Sequence, residues 1–439
     1  MQKKIIVSNG FSKYPLSDVA AELNEHHYLK LLITGAYPIN SIKKIINRLS
    51  LDKINSIKRL YLRSTPLKDE LINSLLIPEL VYFFGVFIKN KFENFFEFLK
   101  KLQIGDKVIE YSFIHYQKSA SKILKSNISN FKDVGIFFFR SGFGGKSLNV
   151  AKEMRMKTVC YHGGAHPMLE PYIIENRGKL PTINNFANIT KGHFDNEVME
   201  DLKNTDYIIA EGHWSKKTII HSGINPEKVF EIISGCSNLF MDMIKKNKEK
   251  IIRDKFEKGK KLKLLYAGAL TTRKGFDILM EIFEKLDISL VELTIIGGSI
   301  DDKFLNKFNS FKEKENVKYL GHLSYEKMAC EMLKNHIFIF PSTSEGVARV
   351  VNESCAAGMF PLISTNIGGF VKNNVNGRLL DPSNIDSWVE AIKYLFNNPK
   401  IIENVSKINV DLSVNKFNQN YYGKQLMKIF DNLNQVIDN

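Results

Sequence analysis

The chain reads as an α/β protein of two domains. Its 439 residues exceed what one hydrophobic core usually supports. Short, wholly apolar runs of strand length alternate with helical stretches in both halves. Several of those runs end in turns rich in Gly, Ser or Thr, at the carboxyl ends of buried strands, where open α/β sheets place their ligands. A composition of 44% hydrophobic and 25% charged residues is that of an ordinary globular protein.

In the amino-terminal half, residues 5–7 and 31–34 read as strands around a helical stretch at 16–24. Ser8-Asn9-Gly10-Phe11 then closes the first strand, and Gly10 becomes a candidate for ligand contact. Residues 134–139 and 157–161 read as two further strands joined by a helix at about 148–154, a β-α-β unit. Between them, Arg140-Ser141-Gly142-Phe143-Gly144-Gly145-Lys146-Ser147 carries the Gly-Lys-Ser of a phosphate loop, but Arg140 stands where such a loop needs its first glycine. A tight turn lining a cleft is expected there, and a nucleotide triphosphatase is not. Tyr161-His162-Gly163-Gly164-Ala165-His166-Pro167 comes next. Histidines four apart suggest a metal only on a helix, and Gly163, Gly164 and Pro167 argue against one, so no metal site is expected.

The most informative run is Pro341-Ser342-Thr343-Ser344-Glu345-Gly346-Val347-Ala348-Arg349-Val350-Val351-Asn352-Glu353, in which two glutamates bracket seven residues. The apolar strand before it stops at Pro-Ser-Thr-Ser, whose hydroxyls can cap a helix, so a helix is expected from near Gly346. Glu353 then lies about two turns along that helix, roughly 10 Å from Glu345 at 1.5 Å per residue. One carboxylate can face a sugar and the other a ribose. The amides of the first turn, from Gly346 through Val347 and Ala348, are placed to take a diphosphate between them. Read alone, Glu353 would be an acid stabilising the helix dipole.

This run resembles the E-x7-E signature of the family 4 retaining glycosyltransferases, which have the GT-B fold. Five further segments stand in the family's order: 264–277, 293–298, 317–322, 361–369 and 376–382. The resemblance implies two Rossmann-like domains facing a cleft, with an acceptor domain at 1–240, a nucleotide-sugar domain at 241–415, and a helix at 416–439 returning to the first. Residues 204–215 resemble the last strand and helix start of the first domain, and 222–240 its crossing linker. The resemblance implies a retaining hexosyltransferase of envelope polysaccharide or glycolipid synthesis. The other readings are a sugar-nucleotide epimerase or phosphorylase of the same fold, or a binding protein that kept the cleft.

The resemblance also distributes roles. Glu345 holds the donor hydroxyls, Glu353 the ribose, and backbone around Gly321 and His322 the base. Arg273 and Lys274 hold the diphosphate beside Gly268, Gly346, Val347 and Ala348, and His162 lies beside the donor sugar. Many members carry arginine directly after the first strand's glycine; here that residue is Ala269, and Arg273 is the candidate replacement. Asn238 stands near a position that is usually aspartate. The chain has no Asp-x-Asp clamp. A metal-independent site is therefore expected, with no cofactor beyond a nucleotide-sugar co-substrate, UDP- or GDP-linked.

A net charge of +15 asks for an anionic partner. The lysines are dispersed among asparagines and isoleucines, as an AT-rich coding bias would also give, and no nucleic-acid-binding motif is present. A glycan or lipid-linked acceptor and an anionic membrane surface remain as partners. The best membrane candidate is the apolar stretch 75–88 with Lys89, Lys91, Phe92, Phe95, Phe96, Phe98, Lys100 and Lys101 behind it. Pro78, Glu79 and Gly85 interrupt it before the roughly 20 residues of a span, which leaves a helix lying at an interface or a buried helix with a solvated lysine face. Cys160, Cys236, Cys330 and Cys355 are scattered and read as reduced thiols, placing the protein in the cytosol or on the inner face of the plasma membrane. Residues 1–10 read as a first strand with too short an apolar run for a signal peptide.

Overall fold

The computed structural model describes residues 3–12, 15–48, 60–61, 63–91, 105–182, 193–248 and 260–438. Phe92, Phe95, Phe96, Phe98, Lys100 and Lys101 lie outside the described residues. In the first half the strands are β1 (Lys4–Ser8), β2 (Leu29–Thr34), β3 (Ile72–Ser74), β4 (Val134–Arg140), β5 (Lys157–His162), β6 (Tyr207–Glu211) and β7 (Val229–Ile232). They form one sheet in the order β3-β2-β1-β4-β5-β6-β7, with parallel pairing throughout. The second half supplies β8 (Leu262–Ala267), β9 (Val291–Ile296), β10 (Val317–Tyr319), β11 (Ile337–Phe340), β12 (Glu345–Val347), β13 (Phe360–Ser364), β14 (Ile367–Gly368) and β15 (Arg378–Leu380). Six of these make a second parallel sheet, β10-β9-β8-β11-β13-β15, and β12 pairs with β14.

Both sheets are doubly wound. Parallel strands covered on both faces must be apolar throughout, which is why β4 (VGIFFFR) and β11 (IFIF) read as continuous hydrophobic runs and are almost completely buried. Each strand order reverses once, between β1 and β4 and between β8 and β11, and the crevices at those two points open from the carboxyl ends of the strands.

Two expectations need correction. Residues 229–232 lay within the expected linker, yet they are strand β7, the sheet edge beside β6. The helix after the first glutamate starts at Arg349 rather than near Gly346. Its first backbone groups are taken by β12: Glu345 N–H donates to Asn366 O at 3.1 Å, and the pairing with Ile367 and Gly368 holds the chain extended. Glu353 is consequently little more than one turn into the helix.

Cys236 and Phe240 already belong to the core around the second sheet. The last helix, Gln419–Asp438, packs in the opposite direction and buries Tyr422, Leu426, Phe430 and Leu433 with Ile5, Val7 and Phe138 of the first sheet. Phe430 meets Phe138 edge-on at 5.2 Å, and Tyr28 Oη donates to Asp431 at 2.7 Å.

Glu79, which interrupts the apolar stretch of the helix Leu76–Lys91, is fully buried. Its carboxylate accepts from Ser12 N–H at 2.9 Å, Ala36 N–H at 2.5 Å and Arg63 at 2.7 Å, tying together the loops after β1 and β2. Charge paired in this way tolerates burial, and the helix turns its acid inward.

Candidate donor-binding cleft

At the carboxyl end of the second sheet lies a cavity of about 820 Å³, lined by Gly268 and Ala269 after β8, Gly297 and Gly298 after β9, His322 after β10, and Glu345, Val347, Ala348 and Arg349. Its wall is two loops laced backbone to backbone. Arg273 O accepts from Thr343 N–H at 2.9 Å and lies 2.7 Å from Ser342 Oγ. Gly275 makes this approach possible: its φ is +67°, and a Cβ there would sit 1.9 Å from Pro341 O.

The lacing brings the expected cations to the first glutamate. Lys274 Nζ and Arg273 Nη1 both reach Glu345 Oε1, the latter at 3.1 Å, and Ser342 Oγ lies 3.1 Å from the same oxygen. Arg273 also donates to Ser344 O at 3.3 Å. Two positive charges on one acceptor, beside amides near a helix N-terminus, make an anion-binding corner whose charge exceeds that of its single carboxylate. Among the described residues, no three His, Cys, Asp or Glu side chains gather as a metal site would need.

Other candidates are more dispersed. Gly321 closes β10 and its carbonyl accepts from Gly297 N–H at 2.9 Å, next to His322. Gly10 lies beneath the ring of Phe143 at the end of β1, and its amide donates to Tyr116 Oη at 3.1 Å. His162, at the end of β5, is buried and has both ring nitrogens engaged: Nε2 with Ala165 O at 3.1 Å and Nδ1 with Ser141 Oγ at 2.9 Å. The carbonyl can only accept, so Nε2 carries the proton. Burial lowers its pKa to about 4, and the imidazole is neutral.

Glu353 is buried and does not share the cavity of Glu345. It accepts from Tyr325 Oη at 2.5 Å, and burial raises its pKa. It lines a second cavity of about 600 Å³ between the helix Pro15–Glu25, the crossing segment Ser234–Ser237 and the start of the last helix. Arg349 lines both cavities and links them.

The turn after β4 is a backbone nest already filled. Asp201 accepts from Gly142, Gly144 and Gly145 N–H at 2.7 to 2.9 Å, so a carboxylate of the chain itself occupies the place a phosphate would take. Sequence reasoning gave no role to Asp201, nor to three groups near the cleft. Glu170, whose pKa burial raises, feels the charges of Arg273, Glu345 and Lys274 from the other domain. Glu211, buried at the end of β6, likewise has a raised pKa and lies in the field of Arg349. Tyr325 holds Glu353. Glu211 alone left a signal, as a carboxylate closing an apolar strand.

The two domains touch through backbone. A Cβ on Gly346 would lie 2.1 Å from Gly163 O and 3.0 Å from Glu211 O, and one on Gly212 would lie 2.7 Å from Gly368 Cα. Around this seat Asn366 Nδ2 donates to Gly178 O at 2.7 Å, and Arg177 forms a two-pronged pair with Glu281 at 2.5 and 2.9 Å.

Residues 247–410, which carry the laced loops and both glutamates, match the family described as Glycosyl transferases group 1. That segment of the chain is similar to the family. Similar proteins include an uncharacterized 41.2 kDa protein in the cps region of Klebsiella pneumoniae, 27% identical over 43% of this chain and 52% of its own length. An uncharacterized glycosyltransferase of Methanocaldococcus jannaschii is 32% identical over 31% of this chain and 39% of its own. The chain thus spans about half the length, or less, of these curated relatives. Over the whole fold it is similar to HepE of Anabaena, solved in complex with UDP-glucose, with a TM-score of 0.57 at 12% identity, covering 98% of this chain and 99% of that one. The chain therefore has the GT-B arrangement of two Rossmann-like domains.

Proposed function

We propose that the protein is a retaining, metal-independent glycosyltransferase moving a hexose from a UDP-sugar to a hydroxyl of a glycan or lipid-linked acceptor. The observation that carries this reading is the convergence of Arg273, Lys274 and Glu345 at the mouth of the cavity under the ends of β8, β9 and β10. In this reading the diphosphate displaces Glu345 from the cations, and the freed carboxylate takes the donor hydroxyls. Charge that develops on the leaving diphosphate meets Arg273, Lys274 and the amides of Val347 to Arg349, oriented in advance. The leaving phosphate oxygen takes the acceptor's proton on the face from which it departs, which gives retention. Glu353 takes the ribose hydroxyls by exchanging its bond from Tyr325. The complex of HepE with UDP-glucose supports uracil as the base. The cps-region relative supports an acceptor in envelope polysaccharide synthesis.

A thermal-shift panel of UDP, GDP, ADP, CMP and their sugar conjugates, with and without magnesium, tests the donor site. UDP-linked ligands should raise the melting temperature without magnesium, and Glu353→Ala should reduce the shift. Lys274→Ala should lower kcat/KM by about 100- to 1,000-fold, the usual cost of removing one preorganised charge contact. Absence of any nucleotide shift would sink the reading.

A further inference from the structure

Tyr325 is the first residue of the helix Tyr325–Lys334, fixed there by Ser324, whose side chain caps the helix by accepting from Lys327 N–H at 3.4 Å. Its ring packs on Phe240, with 5.0 Å between centroids, and its hydroxyl reaches Glu353 Oε1 at 2.5 Å. Ser237 Oγ, from the crossing segment, lies 3.3 Å from the same hydroxyl and itself accepts from Phe240 N–H at 3.3 Å. Because the tyrosine has given its one proton to Glu353, the serine hydroxyl donates to it. The bonds therefore run in one direction, from Phe240 N–H through Ser237 and Tyr325 to Glu353.

Burial raises the pKa of Glu353, and the bond from Tyr325 and the charge of Arg349, one turn earlier on the same helix face, act against that rise. Arg349 also lines the donor cavity, so Glu353 lies next to that cavity with its carboxyl turned to the crossing segment. A hydroxyl is what a ribose brings to this carboxyl, and Tyr325 supplies one from within the chain. When Glu353 lets go, the tyrosine is not stranded: its proton turns to Ser237 Oγ, already 3.3 Å away. Exchanging one hydroxyl for another in this way leaves no buried donor unpaired, which keeps the exchange cheap.

We propose that Tyr325 is a positioning residue that competes with the nucleotide for Glu353: its hydroxyl holds the carboxyl that a ribose hydroxyl would take, gives way when the nucleotide enters, and recaptures the carboxyl as the nucleotide leaves. The inference rests on the reading of Glu353 as the ribose contact. What it adds is a sign, since the tyrosine then weakens nucleotide binding instead of supporting it. In a transferase the nucleoside diphosphate is also the product, and product release can limit turnover. A competitor built into the chain speeds that release and lowers donor affinity through the same bond.

The test is calorimetric titration of the full chain with UDP and with 2′,3′-dideoxy-UDP, on the wild type, Tyr325→Phe, Glu353→Ala and the double variant. Phenylalanine keeps the ring on Phe240, so circular dichroism should show the fold retained. Tyr325→Phe should bind UDP about tenfold more tightly, the scale of one hydrogen bond to a charged group, and should bind the dideoxy ligand as the wild type does. In the Glu353→Ala background the same change should have no effect, because the two side chains act as a pair. A tyrosine that merely shapes the crossing segment would move both ligands alike. UDP binding that Tyr325→Phe weakens or leaves unchanged, or a gain shared by the dideoxy ligand, would overturn this inference and leave the donor reading standing. UDP binding that Glu353→Ala does not alter would remove the ribose contact and this inference with it, and no UDP binding by the wild type would overturn the donor reading as well.

Discussion

His162 illustrates how a single side chain can be legible in position and not in state. Its place at the end of β5 follows from an apolar run closed by a glycine pair, but its neighbours Ser141 and Ala165 occupy both ring nitrogens and no spacing rule reveals them. A sugar hydroxyl reaching this ring has to displace one of these partners. The depressed pKa has a consequence for stability. The unfolded chain binds a proton on this histidine near pH 6.5 and the folded chain only near 4, so stability is present above pH 6.5 and falls as the pH drops through that window. Between pH 6.5 and 4 the wild type should lose up to about 3 kcal/mol more than His162→Gln, read from urea unfolding at each pH. An equal loss in both proteins would mean the ring is not held neutral. Glu345, Arg273 and Lys274 were legible as a group because their motifs name them. That they pair with one another was not, since Lys274 and Glu345 are 71 positions apart in the chain.

Strands and helices show the same division. The strands at residues 134–139, 157–161 and 337–340 were readable because burial on both faces demands unbroken apolar runs. β12, β14 and β7 were not, because short edge or two-stranded pairings carry little hydrophobic pattern of their own. Yet β12 positions Glu345 and seats the second domain on the first, with Gly346 pressed against Gly163 and Glu211. Gly346→Ala places a methyl 2.1 Å from a carbonyl oxygen, so the domains have to part. kcat/KM for the sugar donor is expected to drop about 100-fold, as a displacement of about 1 Å in a reacting geometry can cost. Each domain should keep its fold by circular dichroism, and full activity in the variant would show that the contact is not needed for turnover.

Across both domains, the last helix closes the architecture. It leaves the second sheet beside Phe370 and Phe417, stacked at 4.3 Å, and completes the core of the first. Phe430→Ala should therefore destabilise the amino-terminal domain by about 3 to 5 kcal/mol, the range for emptying a buried phenylalanine site. Urea unfolding followed by a probe in each domain should show an early transition in the first domain and an unmoved one in the second. The two-domain α/β organisation, the order of the strand-ending motifs and the amphipathic final helix were all present in the linear pattern, because local periodicity records which face of an element is buried. Which way Glu79, Asp201 and Glu353 point depended on partners brought in from other elements. Glu79 turns inward to Arg63, Asp201 fills the glycine nest, and Glu353 joins Tyr325 in a different cavity from Glu345. Each of these carboxyl groups is buried, and a buried polar group goes where its hydrogen-bond partners are.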